Sequence, residues 1–356
     1  MVIRKTSHKI REDILAHLKK GPLSTKKLGE ILKSNWSTIN NYLEELKQIG
    51  EVREIYAREN LRVYVRSDYP VFYGLPLEKS KFNDCLYLLA KIVEEWKNKN
   101  NGQIISKTTL QKVAVEIIKK NSSFNLPVVR FHYGKMLPLS FEPSNFQEIL
   151  KEYNLKNPVN FIEMDKAVKK EIKDGDHSNI AWVERKRQYG NTDMKVFQIK
   201  EEISGLFYQK KADENLQNMF YNLFMEIPTT ERYSYLFKKY HDFITSVSFI
   251  FSTEEFNKSE EDKKKFLLDI LNTFNVLWQT LTTEFFFEDF EQLIDKDFEE
   301  IKDFIKDSKI NTYSSESDEK LKDISEYKKS LTFKKEKLSE DEKRIMEILL
   351  EGADEE

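Results

Sequence analysis

The sequence predicts a mainly α-helical protein: three short helices and a β-hairpin at the N-terminus, followed by a multi-helix domain. Three observations predict it. Apolar residues recur every three or four positions in segment after segment between Ser7 and Ile305. Alternating, β-branched and aromatic runs are short, the clearest pair being Glu51–Tyr56 and Leu61–Val65. Ten glycines and eight prolines in 356 residues are too few for a chain of many tight turns between strands.

The first helix is predicted over Ser7–Lys19, where Ile10, Ile14, Leu15 and Leu18 share one face. Gly21-Pro22 breaks it. Ser24 or Thr25 then caps a short helix whose inner residues are Leu28, Ile31 and Leu32, and the polar turn Lys33-Ser34-Asn35 follows. A third helix, from about Trp36 to Gln48, buries Ile39, Leu43 and Leu46 and stops at Gly50. Trp36, three residues before Ile39, is expected in the core. The two alternating runs, joined by a polar link at 57–60, complete a hairpin.

Three helices and a hairpin within about 66 residues resemble the winged helix-turn-helix family. The resemblance implies a DNA-binding domain over residues 1–75 whose third helix enters the major groove by its N-terminal half. Its outward face would be Ser37, Asn40, Asn41 and Glu44. Asn bonds an adenine edge in bidentate fashion, and Ser bonds either base. Ser34, Asn35 and Thr38 at the helix start, with Lys26, Lys27 and Lys33 nearby, would hold phosphate. In the wing, Arg53, Arg58 and Arg62 would reach phosphates or the minor groove. Two features depart from the pattern: the recognition helix has no Arg or Lys before Lys47, and Glu44 and Glu45 would oppose phosphate if they faced the duplex.

After the linker 67–77 the pattern restarts in a segment, 78–210, read as helical with short strands and as a possible second winged-helix-like unit. Phe82–Lys99 and Ser106–Asn121 are amphipathic helices, and Leu126–Gly134 is a strand entering a turn. The string Ile105-Ser-Lys-Thr-Thr-Leu-Gln-Lys112 with Phe131-His-Tyr-Gly134 resembles fragments of phage-associated antitoxin-like proteins over about 30 residues. The simpler expectation makes Gln111 and Lys112 the polar face of an ordinary helix. Ser144–Gln147 has capping-box spacing ahead of a helix to about Tyr153. Asn160–Lys173 is amphipathic, Asp174–His177 and Tyr189–Asn191 read as turns, and Val196–Ile199 reads as a short strand.

Residues 211–310 read as a long-helix bundle, suited to dimerisation or to a protein partner. One stripe is Leu216, Met219, Phe220, Leu223 and Phe224; Tyr233–Phe251 is another helix; and Lys265–Phe287 is the longest signal. Phe290, Ile294, Phe298, Ile301 and Ile305 continue the rhythm. In 311–356, Asn311–Glu319 is read as a flexible, serine-rich link before a short acidic helical tail. Ile324, Leu331, Leu338 and Ile345 fall seven apart, but Lys328, Lys335 and Glu342 occupy the other seam position, which argues against a sustained coiled coil.

Composition narrows the function classes. Net charge is only −3, but residues 1–66 hold fourteen Lys and Arg against eight Asp and Glu, whereas 284–356 hold thirteen against twenty-four. A polyanion is therefore expected at the N-terminus. Cys85 is the one cysteine, which excludes a disulfide framework and a thiolate-rich zinc site. His8, His17, His132, His177 and His241 include no pair at metal-ligand spacing, and Asp174, Asp176 and His177 are read as a solvated turn. Phosphate-loop, dinucleotide and nucleophile-elbow motifs are missing. No catalytic residue, cofactor or metal is predicted. No apolar run reaches about 18 residues, and a signal-peptide core is not seen, so a cytoplasmic, non-membrane protein is expected. The expected function is sequence-specific double-stranded DNA binding by a dimeric transcriptional regulator; the alternatives are a non-enzymatic adaptor and a plasmid replication or partition factor.

Overall fold

Helices in the N-terminal head start and stop where a side chain or a left-handed residue resolves the backbone. The computed structural model describes residues 7–58, 61–67, 71–72, 75–76, 79–139, 143–145, 157–190, 194–208, 214–253, 260–291 and 299–333. Helix α1 covers Ser7–Leu18 and α2 covers Thr25–Leu32. Ser24 caps α2, its hydroxyl accepting from the Lys27 N–H at 3.1 Å and satisfying one of the open donors of a helix start. The turn out of α2 is tight: Lys33 is left-handed at φ 54°, and a Cβ on Gly29 would meet the Ser34 carbonyl oxygen at 3.0 Å. Helix α3 (Trp36–Gln48) opens on Asn35, whose Oδ1 accepts from the Thr38 N–H at 2.8 Å.

The expected hairpin is present as β2 (Val52–Arg58) and β3 (Leu61–Arg66). A third strand that the sequence reading missed, β1 (Leu23–Ser24), pairs with β3 so that Leu23 lies opposite Tyr64. The antiparallel order is β1-β3-β2, with a register shift between Glu54 and Tyr56. Ile14, Leu18, Leu28, Ile39, Leu43, Val52 and Tyr64 form one core, each large side chain contributing roughly 1.5–3 kcal/mol of burial. Two expectations fail here. Ile31 is exposed, because an eight-residue helix offers one narrow inner stripe and Leu28 and Leu32 fill it. Trp36 is 48% exposed rather than core. Helical side chains tilt toward the N-terminus, so a residue one turn before Ile39 extends past the covered part of α3.

The chain divides into two compact units, Met1–Tyr189 with Thr283–Lys309, and Gly190–Thr282 with Ile310–Glu356. In the first, the segment read as a linker contains the short pair β4 (Val71–Phe72) and β5 (Leu75–Pro76). Beyond it come α4 (Lys79–Lys99), α5 (Lys107–Lys120), the hairpin β6 (Val129–Phe131) and β7 (Gly134–Met136), α6 (Phe161–Asp174) and α7 (Ala181–Gln188). Their core gathers Leu86, Leu89, Ile92, Val113, Ile117 and Val129 around Phe286, Phe287 and Phe290. Those phenylalanines belong to α11 (Glu260–Glu291). Arg130 secures them, its guanidinium reaching Asp289 at 2.7 Å and Glu288 at 2.6 Å.

The second unit is helical in its described residues: α8 (Lys195–Tyr208), α9 (Glu214–Met225), α10 (Ser234–Phe251), α11 up to Thr282, and α12 (Glu299–Phe333) from Ile310. Phe220 packs against Phe243 at 5.0 Å and Phe274 at 5.3 Å. Val196–Ile199 is helix rather than strand, since Val196, Phe197, Ile199 and Ile203 form a buried helical stripe that four residues alone cannot distinguish from a strand. Asn311–Glu319 is likewise not a flexible link but part of α12. Tertiary bonds override its weak helix propensity: Lys239 Nζ donates to the Ser314 carbonyl and hydroxyl at 2.8 Å, bonds Ser317 Oγ at 2.9 Å and pairs with Asp318 at 2.7 Å. Pro143–Asn145 form a short 3-10 turn; the rest of the helix expected from Ser144 to Tyr153, residues 292–298 with Ile294 and Phe298, and the tail 334–356 lie outside the described residues. No helix among the described residues is long and apolar enough to cross a membrane.

Candidate nucleic-acid interface

Three residues hold the start of α3 in place: Gly29 sets the turn, Asn35 caps the helix, and Ile39 anchors the first full turn in the core. Asn35 was a candidate phosphate ligand, but its Oδ1 is committed to the Thr38 N–H. Ser37 and Asn41 are exposed, and neither side chain has a partner among the described residues. Asn40, expected beside them, is half-buried, and its Oδ1 is buried without a hydrogen-bond partner among those residues. Ser34 is half-buried in the turn, its N–H donating to the Gly29 carbonyl at 3.0 Å.

The acids that seemed to oppose a polyanion are neutralised within the head. Glu44 Oε1 accepts from Arg62 Nη1 and from the Tyr64 hydroxyl, both at 2.9 Å. Burial, together with the Glu44 and Glu54 carboxylates, pushes the Tyr64 hydroxyl up to about 12, so it remains a donor. Glu45 pairs with Arg11 of α1. Lys47 Nζ sits 2.5 Å from Glu54, which balances its charge. The same bonds tie α3 to β2, β3 and α1, fixing the angle at which the helix stands on the sheet.

The cost is borne by one predicted contact. Arg62 is engaged by Glu44 and lies 3.9 Å from Glu54, so its guanidinium is not free for phosphate as the head stands. Arg53 is exposed on β2. Arg58 ends that strand, and its side chain lies outside the described residues. Lys26, Lys27 and Lys33 are all exposed; Lys27 is 3.9 Å from Glu30, and Lys26 and Lys33 have no partner among the described residues. The structure therefore brings Ser37 and Asn41 of α3, Lys26 of α2 and Lys33 of the turn between them to the surface, and withdraws Asn35 and Arg62 into local bonds. Trp36 was missed as a surface residue. Its one readable signal was its place in the first helical turn, ahead of the buried stripe.

The buried polar groups elsewhere are bonded into the fold. Gln111 and Lys112 are not a solvated face. Gln111 Nε2 donates to the Leu139 carbonyl at 2.6 Å and its Oε1 accepts from the Leu137 N–H at 3.0 Å, while Lys112 Nζ donates to the carbonyls of Tyr133 and, at 3.0 Å, Lys135. The helix string and the Tyr-Gly turn, which the sequence singled out together, are thus joined through the β6–β7 hairpin.

His177 is not in a solvated turn either; its side chain is 2% exposed. Nε2 lies 3.0 Å from Glu171 and Nδ1 3.1 Å from Glu184. Arg187 and the Ser178 N–H complete the shell of Glu184, and Lys120 pairs with Glu171 at 2.7 Å. Burial pushes the Glu184 carboxyl up, but the bonds from His177, Arg187 and Ser178 outweigh it and hold it at about 2. Every carboxylate oxygen here has a nitrogen within hydrogen-bond distance, so the cluster ties α5, α6 and α7 together. Among the described residues no group of three His, Cys, Asp or Glu side chains could hold a metal ion. Cys85 is fully buried in α4, and burial drives its thiol far above the ordinary range.

No family model, curated protein or solved structure matches the chain.

Proposed function

We propose that residues 1–75 form a winged helix-turn-helix that binds double-stranded DNA sequence-specifically, and that the chain is a cytoplasmic transcriptional regulator acting as a dimer. One observation carries this reading: on α3 the acids are consumed by Arg62, Tyr64 and Arg11, while Ser37 and Asn41 are left exposed and unbonded. A polar face cleared of competing charge, with Lys26 and Lys33 near its start, suits base edges flanked by phosphates.

Arg11, Lys47 and Arg62 are held by carboxylates of the head, so affinity per head is modest and salt-sensitive, which favours two heads on a two-fold site. The helical remainder would then supply the dimer contacts or a protein partner. Binding of the whole protein to a random duplex pool at two salt concentrations, with the retained sequences read out, tests the reading. An enriched palindrome with half-sites one or more helical turns apart is expected. Binding without enrichment points instead to a partition or architectural role, and no binding at low salt to a protein adaptor.

A further inference from the structure

Trp36 is the exposed aromatic side chain of the head: among its described residues the other large apolar groups left in solvent are Ile31 and Ile49. The indole makes no ring contact and no side-chain hydrogen bond among the described residues. It belongs to the first residue of α3, next to exposed Ser37, and the N-terminal tilt of helical side chains carries it beyond the helix start. The Asn35 cap and the Gly29 turn fix the backbone that bears it.

We propose that Trp36 packs against the C5-methyl group of a thymine, making this head selective for thymine at one position of each half-site. The inference rests on the DNA-binding reading of α3, whose N-terminal end bears the indole. In an intact duplex the faces of the bases are stacked, so a side chain entering the major groove meets only their edges. The thymine methyl is the one apolar group displayed there. Indole has a single N–H donor and no acceptor, so it cannot read a base by a bidentate pair and contributes by excluding water from apolar surface. Asn41, further along α3 and on its outward side, has the complementary chemistry for adenine N6 and N7. α3 carries no Arg, and its one Lys, Lys47, is paired with Glu54, so the bidentate guanine contact of Arg is not available from this helix.

The test uses the full chain and a duplex retained from the random pool, resynthesised with deoxyuridine replacing thymine at one position at a time. Uracil pairs as thymine does and lacks only the methyl. At one position per half-site the replacement should weaken binding about fourfold, the worth of one buried methyl. Trp36→Ala should abolish that difference at the same position, and Trp36→Phe should keep part of it. The side chain lies outside the core, so both variants should retain the wild-type circular dichroism. Equal binding of thymine and uracil duplexes at every position overturns the inference, as does a retained site without thymine, or discrimination that survives in Trp36→Ala. Failure of the wild-type protein to bind any duplex at low salt overturns the DNA-binding reading itself, and the inference with it.

Discussion

Replacing Gln111 by Met keeps the length and volume of the side chain and removes its amide. In the folded protein that amide serves two backbone groups of the segment after β7, the Leu139 carbonyl at 2.6 Å and the Leu137 N–H at 3.0 Å. Both leucines are nearly inaccessible, at 3% and 0% exposed, so water cannot replace the lost partner without opening the core. Each buried backbone group left unsatisfied costs about 1–3 kcal/mol, and allowing for partial relaxation the pair should cost about 3 kcal/mol. For a unit of this size the thermal midpoint should fall by about 6–12 °C. Gln111→Glu should be at least as damaging, because it keeps the acceptor, loses the donor and buries a charge. Thermal unfolding of the full chain gives the magnitude, and amide exchange at Leu137 its place. A loss under about 0.5 kcal/mol for Gln111→Met, with Leu137 exchange unchanged, would show that the amide is replaceable and that packing alone holds the hairpin.

Gly175→Ala should destabilise the first unit by about 1–3 kcal/mol, because its Cβ would sit 2.4 Å from His177 Nε2 and 2.5 Å from the Glu171 carbonyl oxygen; a wild-type urea midpoint would refute this. The Glu184 carboxyl, ordinarily near 4.5 and held at about 2, stabilises the fold at pH values above about 4.5. Because its folded-state pKa is depressed, that contribution should fade as pH drops from about 4.5 toward 2. Glu184→Gln should show a shallower loss across the same window in acid titration followed by circular dichroism. Lys26→Ala should weaken duplex binding of all sequences alike and reduce the salt slope by about 1. Asn41→Ala should instead relax preference at one base pair by about 1–3 kcal/mol. Identical, sequence-independent effects of the two changes would show that α3 does not read bases.

Much of the head was legible because local signals agree there. Ser24, Asn35 and Gly50 mark element ends, and Ile39, Leu43 and Leu46 mark a buried stripe, so α2, α3 and the hairpin follow from nearby residues. What failed was long-range. Strand β1 is two residues long and exists only because β3 lies beside it. Residues 311–319 look like a linker until Lys239, some 75 positions earlier in the chain, bonds Ser314. His177, in a glycine-containing polar turn, gains its burial from Glu171 and Glu184 on two different helices. The candidate site was legible in position and only partly in availability. Spacing put Ser37, Asn41 and Glu44 on one side of α3, but which polar groups are already bonded depends on Arg11, Arg62 and Tyr64. Trp36 shows the same limit, since periodicity places it beside the stripe and cannot say where the covering elements end.

The division of labour along α3 bears on how this head can change over generations. Asn35, Glu44 and Glu45 are tied to a cap, to β3 and to α1, so replacing them disturbs the fold. Ser37, Asn41 and Gln48 are exposed and have no side-chain partner among the described residues. Substitutions at such surface positions usually stay within about 0.5 kcal/mol. The two sets interleave on one helix without overlapping, so selection can alter the outward set while the inward one keeps the helix at the same angle. On the proposed DNA-binding reading, a few single substitutions in the outward set would change the target of this head, each passing through a protein that still folds.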